Sequence, residues 1–255
     1  RPNIGLRTVE EPMMNMVTDA LLYYARKNYT KTTGNINIRV AVHNGGGING
    51  PISNINPTSF RNGDALDFFK SKFFRFDNYL AVVELTPLEI KNLLEYGVAQ
   101  MWYQNGENTL SGNAGVSDGN FLHCSGLNFT YTRGASAADN NAYFYNATDK
   151  QIKNYGSRII DVWLWNIPQY DEINDKYDTG LYQKLHNPSA DSIQIIKNGE
   201  VVAAYKDMKI GVVTVNFLLY GDESCKTALG LSGPNDSKIK LVDSANRPNE
   251  ALVSI

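Results

Sequence analysis

Cysteine occurs only twice in the 255 residues, as Cys124 and Cys225. Two are too few for a disulfide scaffold or a thiolate metal site, although one bridge between them stays open on sequence alone. Histidine occurs three times, as His43, His123 and His186, with none of the spacing of a metal-ligand set. No apolar run approaches the roughly 20 residues of a membrane span. Lys and Arg (24) nearly balance Asp and Glu (26), for a net charge of −2, and basic residues are scattered. Such a balance argues against nucleic acid or an anionic membrane as the main partner. His-Glu-x-x-His, the P-loop and the Rossmann fingerprint are all missing. His43-Asn44-Gly45-Gly46 has the look of an esterase oxyanion loop, yet no Gly-x-Ser-x-Gly elbow supplies a nucleophile. No self-sufficient catalytic constellation assembles from these residues, and no catalytic residue is assigned.

What is present is patterned for a mixed fold. Met13, Met16, Val17, Ala20, Leu21 and Tyr24 recur at helical spacing, with Thr8 and Glu11 able to form a capping box ahead of them. Residues 36–42 read as a strand running into Asn44-Gly45-Gly46-Gly47-Ile48-Asn49. Three glycines after a strand suggest a tight loop of exposed N–H groups, reached through positive φ, that could cradle an anion. A short helix over 57–70 and a strand over 79–85 follow. Thr86, Pro87 and Glu89 spell a helix start, with Ile90, Leu93, Leu94, Val98 and Met101 on one face. Residues 103–120 and 166–191 read as polar loops. Strands are expected at about 121–132, 157–165, 192–205 and 209–216, with Asn198-Gly199 as a hairpin turn. A last helix over 222–230 precedes a loosely ordered end, 232–255. The simplest account is one α+β domain over residues 1–255. The chain starts at Arg1, as a mature or excised product would, and its Asn- and Tyr-rich composition suits the periplasm, a cell surface or secretion.

Taken in order, several fragments resemble the C-terminal domain of the 5′-nucleotidase family. They are Asn15-Met16-Val17-Thr18-Asp19-Ala20, Val42 to Ile48, Phe76-Asp77-Asn78-Tyr79-Leu80, Ser125-Gly126-Leu127, Arg158 to Val162, and Asn216 to Asp222. The resemblance implies a domain that grips a nucleoside or nucleotide between two phenylalanines. A separate metallophosphoesterase domain, in cis or in trans, would hold the divalent metals; its Asp-x-His and Gly-Asn-His-Glu motifs are absent here, so no cofactor is expected in this chain. Residue by residue, it implies Phe76 and Phe217 as stacking walls and Asn78 and Asp222 as polar partners near base and ribose. Asn44 would face the nucleoside and Arg7 the phosphate. Asn49 stands where the family carries an arginine, which removes a bidentate phosphate donor. A degenerate, non-catalytic structural or interaction domain of the same fold is the alternative.

Overall fold

The computed structural model describes residues 10, 12–48, 74, 76–101, 119–134, 140–165, 192–245 and 248. Arg7, the Thr8–Glu11 capping box, the helix expected over 57–70 and nearly all of the two long polar loops lie outside them. Helix α1 spans Pro12–Tyr29 and buries Met14, Val17, Thr18, Leu21, Leu22 and Ala25. That face is rotated from the sequence expectation: Met16 is exposed, and Met14 and Leu22 are buried in its stead. Thr18 sits within the stripe at no polar cost because its hydroxyl donates to the Met14 carbonyl, 3.0 Å away.

Strand β1 (Ile38–Asn44) is buried along its whole length, and the strands beside it are nearly so. It shares a five-stranded sheet with β2 (Leu80–Leu85), β3 (Leu122–Ser125), β10 (Ile210–Val215) and β11 (Ile239–Asp243), in the order β11-β2-β10-β1-β3. β1 and β10 run parallel; the other pairs are antiparallel. Near-continuous apolar runs suit strands covered on both faces. Ala41, Leu80, Val82 and Val213 pack with α1, while Val40, Val42, Ala81, Val83 and Val212 join the opposite cluster.

That opposite cluster includes α2 (Pro87–Val98) and a second sheet. Its strands are β4 Leu127–Tyr131, β7 Ile159–Leu164, β8 Ile193–Lys197 and β9 Glu200–Val201, in that order across the sheet. The single strand expected over 121–132 is in fact two. Gly126 adopts φ +84° and redirects the chain from the first sheet into the second. The Asn198-Gly199 hairpin forms as read, with φ +51° and +82° at its corner. A hairpin of β5 (Phe144–Asn146) and β6 (Gln151–Asn154) had no clear signal in the sequence.

At the start of α2 the Thr86 side chain accepts from Glu89 N, and the Glu89 carboxylate accepts from Thr86 N at 2.7 Å. Lys238 closes on the same carboxylate at 2.6 Å. Burial alone would raise the Glu89 pKa, but Lys238 and Thr86 outweigh it and hold the group below its ordinary value. Lys238 immediately precedes β11, which pairs with β2. The tail expected to be loose from residue 232 is therefore in part an edge strand of the main sheet. α3 (Glu223–Ala228) completes the described elements. Cys124 and Cys225 are both free thiols.

Candidate functional site

Sheet topology brings three segments to one end of the main sheet. β1 and β10 are parallel, so Asn44 and Asn216 leave the sheet on the same side. β2 is antiparallel to β10, with Leu80 opposite Val215, so the segment before it, residues 76–79, arrives at that end too. The pairing continues one step beyond the strands: Asn216 N donates to the Tyr79 carbonyl at 2.9 Å, and Tyr79 N donates to Asn216 Oδ1 at 2.7 Å. Phe76 and Phe217 flank this extra rung.

Both phenylalanines are unusually open for their type, Phe76 at 52% and Phe217 at 36% exposure. Most large apolar side chains are buried, so exposed aromatics at one strand end are informative. Phe217 opens a single π-helical turn, Phe217–Gly221, a form that is rare and often marks functional sites. Its ring lies back against Gly221, where an added Cβ would sit 2.8 Å from Phe217 Cδ2. Asn78 lies half-buried between Phe76 and β2.

Asp222 closes the turn in three ways. Its N–H donates to the Phe217 carbonyl at 2.8 Å, one carboxylate oxygen accepts from Cys225 N at 2.9 Å as the cap of α3, and the other accepts from the Tyr96 hydroxyl at 3.0 Å. Burial, then the neighbouring Cys225 and Asp222, push the Tyr96 pKa up, so its phenol stays protonated and donates. Tyr96 had no signal in the sequence, because its role depends on α2 packing beside α3. Asn216 likewise gains its role only from the pairing of β2 with β10, which brings Tyr79 against it.

The glycine loop departs from the expected cradle. Gly45 N donates to the Phe121 carbonyl at 2.8 Å and Gly46 N to the Gly119 carbonyl at 2.9 Å. Gly45–Gly47 form a 3₁₀ turn, and none of the three has positive φ. Their smallness serves close packing instead: a Cβ on Gly46 would come within 2.8 Å of Gly119 Cα, and one on Gly47 within 2.7 Å of the His43 ring. Asn44 is 4% exposed and donates through Nδ2 to the Gly119 carbonyl at 3.1 Å, while its Oδ1 is buried without a hydrogen-bond partner. Its side chain is closed in against the Gly119 segment.

His43 and His123 face each other across β1 and β3, and both are buried. His43 donates from Nδ1 to the Asn44 carbonyl at 3.0 Å. Burial, with a smaller contribution from His123, pushes its pKa down to about 4, although that hydrogen bond opposes the shift. The residue is a neutral core histidine. Among the described residues, no three or more His, Cys, Asp or Glu side chains gather so as to hold a metal ion. The divalent metals implied by the family therefore find no fitting donor set in the described part of this chain. Asn49 and His186 lie outside the described residues.

The two packed sheets and their helices define a mixed α+β domain. Residues 2–179 match the family model described as 5′-nucleotidase, C-terminal domain. The chain belongs to that family. Among solved structures it resembles the Haemophilus influenzae NAD nucleotidase, at 17% identity and a TM-score of 0.50 over 95% of this chain and 29% of that one. A Staphylococcus aureus protein assigned as a 5′-nucleotidase, solved with α-ketoglutarate, matches at 13% identity and a TM-score of 0.51, over 97% of this chain and 34% of that one. The 5′-nucleotidase precursor of Thermus thermophilus matches at 19% identity and a TM-score of 0.49, over 98% and 33%. The chain thus spans about a third of the length of these proteins. No curated protein matches it.

Proposed function

We propose that this chain is the nucleoside- or nucleotide-recognition domain of a 5′-nucleotidase-type hydrolase, with catalysis supplied by a metallophosphoesterase domain in cis or in trans. The observation that carries the reading is the exposure of Phe76 and Phe217 at one end of the β2–β10 pair. A nucleobase offers two flat π-faces, and stacking on an aromatic is worth on the order of 1–3 kcal/mol per base. Asn78 and the Asn44 amide beneath would orient the ligand rather than supply bulk affinity. Arg7 is the candidate for a phosphate contact. Divalent metals belong to the partner domain, and the setting is the periplasm, the cell surface or the medium. Acting in this way, the protein would serve nucleotide breakdown.

Calorimetry with adenosine, AMP and a UDP-sugar tests the reading. Binding with a dissociation constant of about 1 mM or tighter supports it, as does loss of that binding in Phe217→Ala. Absence of heat with all three ligands removes it. A second reading, a structural or interaction domain of the same fold, draws on one observation: both Asp222 oxygens are already engaged by Cys225 N and the Tyr96 hydroxyl. A chain that folds stably and binds none of the three ligands would favour that reading.

A further inference from the structure

A second concavity, of about 750 Å³, lies where α1, β3, β4 and β7 meet, and Asn44, Phe76, Asn78, Phe217 and Asp222 are not among its lining residues. It falls within the ~300–1,000 Å³ range of small-molecule sites. Its floor includes the outer face of the second sheet. There the β4–β7 and β7–β8 registers set Asn128, Trp163 and Gln194 in one row across three strands, with the tryptophan in the centre. Directly opposed cross-strand residues stand ~4.5–5.5 Å apart, so Trp163 has the Asn128 amide as its near neighbour, while Gln194 on the other side donates to Asp161 at 2.9 Å. Trp163 and Asn128 both line the cavity, and the indole is half-buried.

The facing wall comes from α1. Asp19 accepts from the Ser125 hydroxyl at 2.6 Å, which fixes the helix against the end of β3. Asn15 donates through Nδ2 to Glu10 at 2.7 Å, while its Oδ1 is buried with no hydrogen-bond partner. That oxygen is an acceptor in a cavity wall that a ligand hydroxyl would satisfy. Glu10, Asp19 and Arg133 put both charge signs on the lining. Two carboxylates disfavour a phosphate, and the guanidinium disfavours a simple cation. The class that uses every feature is an uncharged ring with many hydroxyls.

We infer that this cavity is a saccharide site in which a pyranose lies on the Trp163 indole. The C–H face of a pyranose is apolar and gains by covering a broad aromatic surface. Its equatorial hydroxyls are both donors and acceptors, which matches the paired donor and acceptor of an Asn amide beside the ring and the acceptors on α1. The site is independent of the nucleoside reading, since it shares no residue with it.

Saturation-transfer NMR on the whole chain with glucose, galactose, N-acetylglucosamine and their β-linked disaccharides tests the inference. The expected result is transfer to the ring protons of at least one sugar, with a dissociation constant of about 1 mM. Trp163→Ala should weaken it at least about tenfold, Asn128→Ala less, and Trp163→Phe should restore part of it. Excess adenosine should leave the sugar signal unchanged, so a failure here and a failure of nucleoside binding are separate results. Each variant is compared at an unchanged thermal midpoint, and Asn128→Ala on the solvated face serves if Trp163→Ala does not fold. No transfer from any of these sugars overturns the inference. So does transfer that persists undiminished in Trp163→Ala, or in Asn128→Ala where that variant stands in.

Discussion

Glu95 and Arg158 fix each other's chain segments in both directions. The Glu95 carboxylate accepts from Arg158 N at 3.0 Å and Ile159 N at 2.9 Å. The Arg158 guanidinium donates to the carbonyls of Val98, Ala99 and Met101 at 2.9, 3.1 and 2.7 Å. One side chain thus anchors the start of β7 on α2, and the other satisfies the carbonyls that α2 leaves open at its end. Both groups are buried, and each is compensated by several hydrogen bonds.

Arg158→Met should therefore take the guanidinium donor from the Ala99 carbonyl and one of two donors from the Val98 and Met101 carbonyls, which keep Met101 N and Gly134 N, at a cost of about 1–3 kcal/mol. Glu95→Gln should cost about 1–3 kcal/mol, because its NH₂ would meet a backbone N–H. Urea unfolding curves check both, and midpoints within error of the parent would show that the clamp contributes little.

Stability should fall in acid through His43. Its folded pKa, about 4, lies below the ordinary 6.5 because the ring is buried, with a smaller push from His123, against the opposing hydrogen bond to the Asn44 carbonyl. The unfolded chain takes up this proton first, so the contribution is fully present above pH 6.5 and is lost as pH falls towards 4. The loss amounts to ~3 kcal/mol. Glu95, raised by burial, acts in the opposite sense as pH rises above its ordinary value. Comparing the parent with His43→Leu from pH 7 to pH 4 isolates the histidine: the gap in unfolding free energy should shift in favour of the variant as the medium is acidified.

Gly46→Ala should destabilise by about 1–3 kcal/mol, since the new Cβ would press on the backbone of Gly119. A differential scanning experiment reads this directly. An unchanged melting temperature would mean that the 119–121 segment yields freely.

Gly221→Ala acts on the aromatic wall. The methyl would meet the Phe217 ring at 2.8 Å and displace it. Adenosine affinity should fall about tenfold while the α3 cap survives, as seen by calorimetry beside far-ultraviolet circular dichroism.

Local chemistry was legible in the sequence, and distant pairing was not. Thr86, Pro87 and Glu89 lie within one turn, so their capping box forms as written. Asn198-Gly199 likewise carries its own turn geometry. The ordered fragments identified the fold, because they sit on the strands that build it. The glycine loop misled, since the carbonyls that consume its N–H groups come from residues 119 and 121, just ahead of β3 and far away in the chain. Leu127 follows Ser125 with only Gly126 between them, so the break between β3 and β4 was invisible until the sheets were assembled. β11 alternates poorly and owes its existence to β2. The row of Asn128, Trp163 and Gln194 could not be read from spacing either, because it depends on the registers of three strands.

The rung between Tyr79 and Asn216 also sets a length scale. Phe217 follows that rung directly and leans on Gly221, whereas Phe76 reaches it through a two-residue tether, Asp77 and Asn78. One jaw is thus seated and the other is hung, as in a calliper. On the proposed stacking role such a device would gauge thickness: a flat ring would pass between the jaws, a puckered one would be refused, and the tether length would set the calibration.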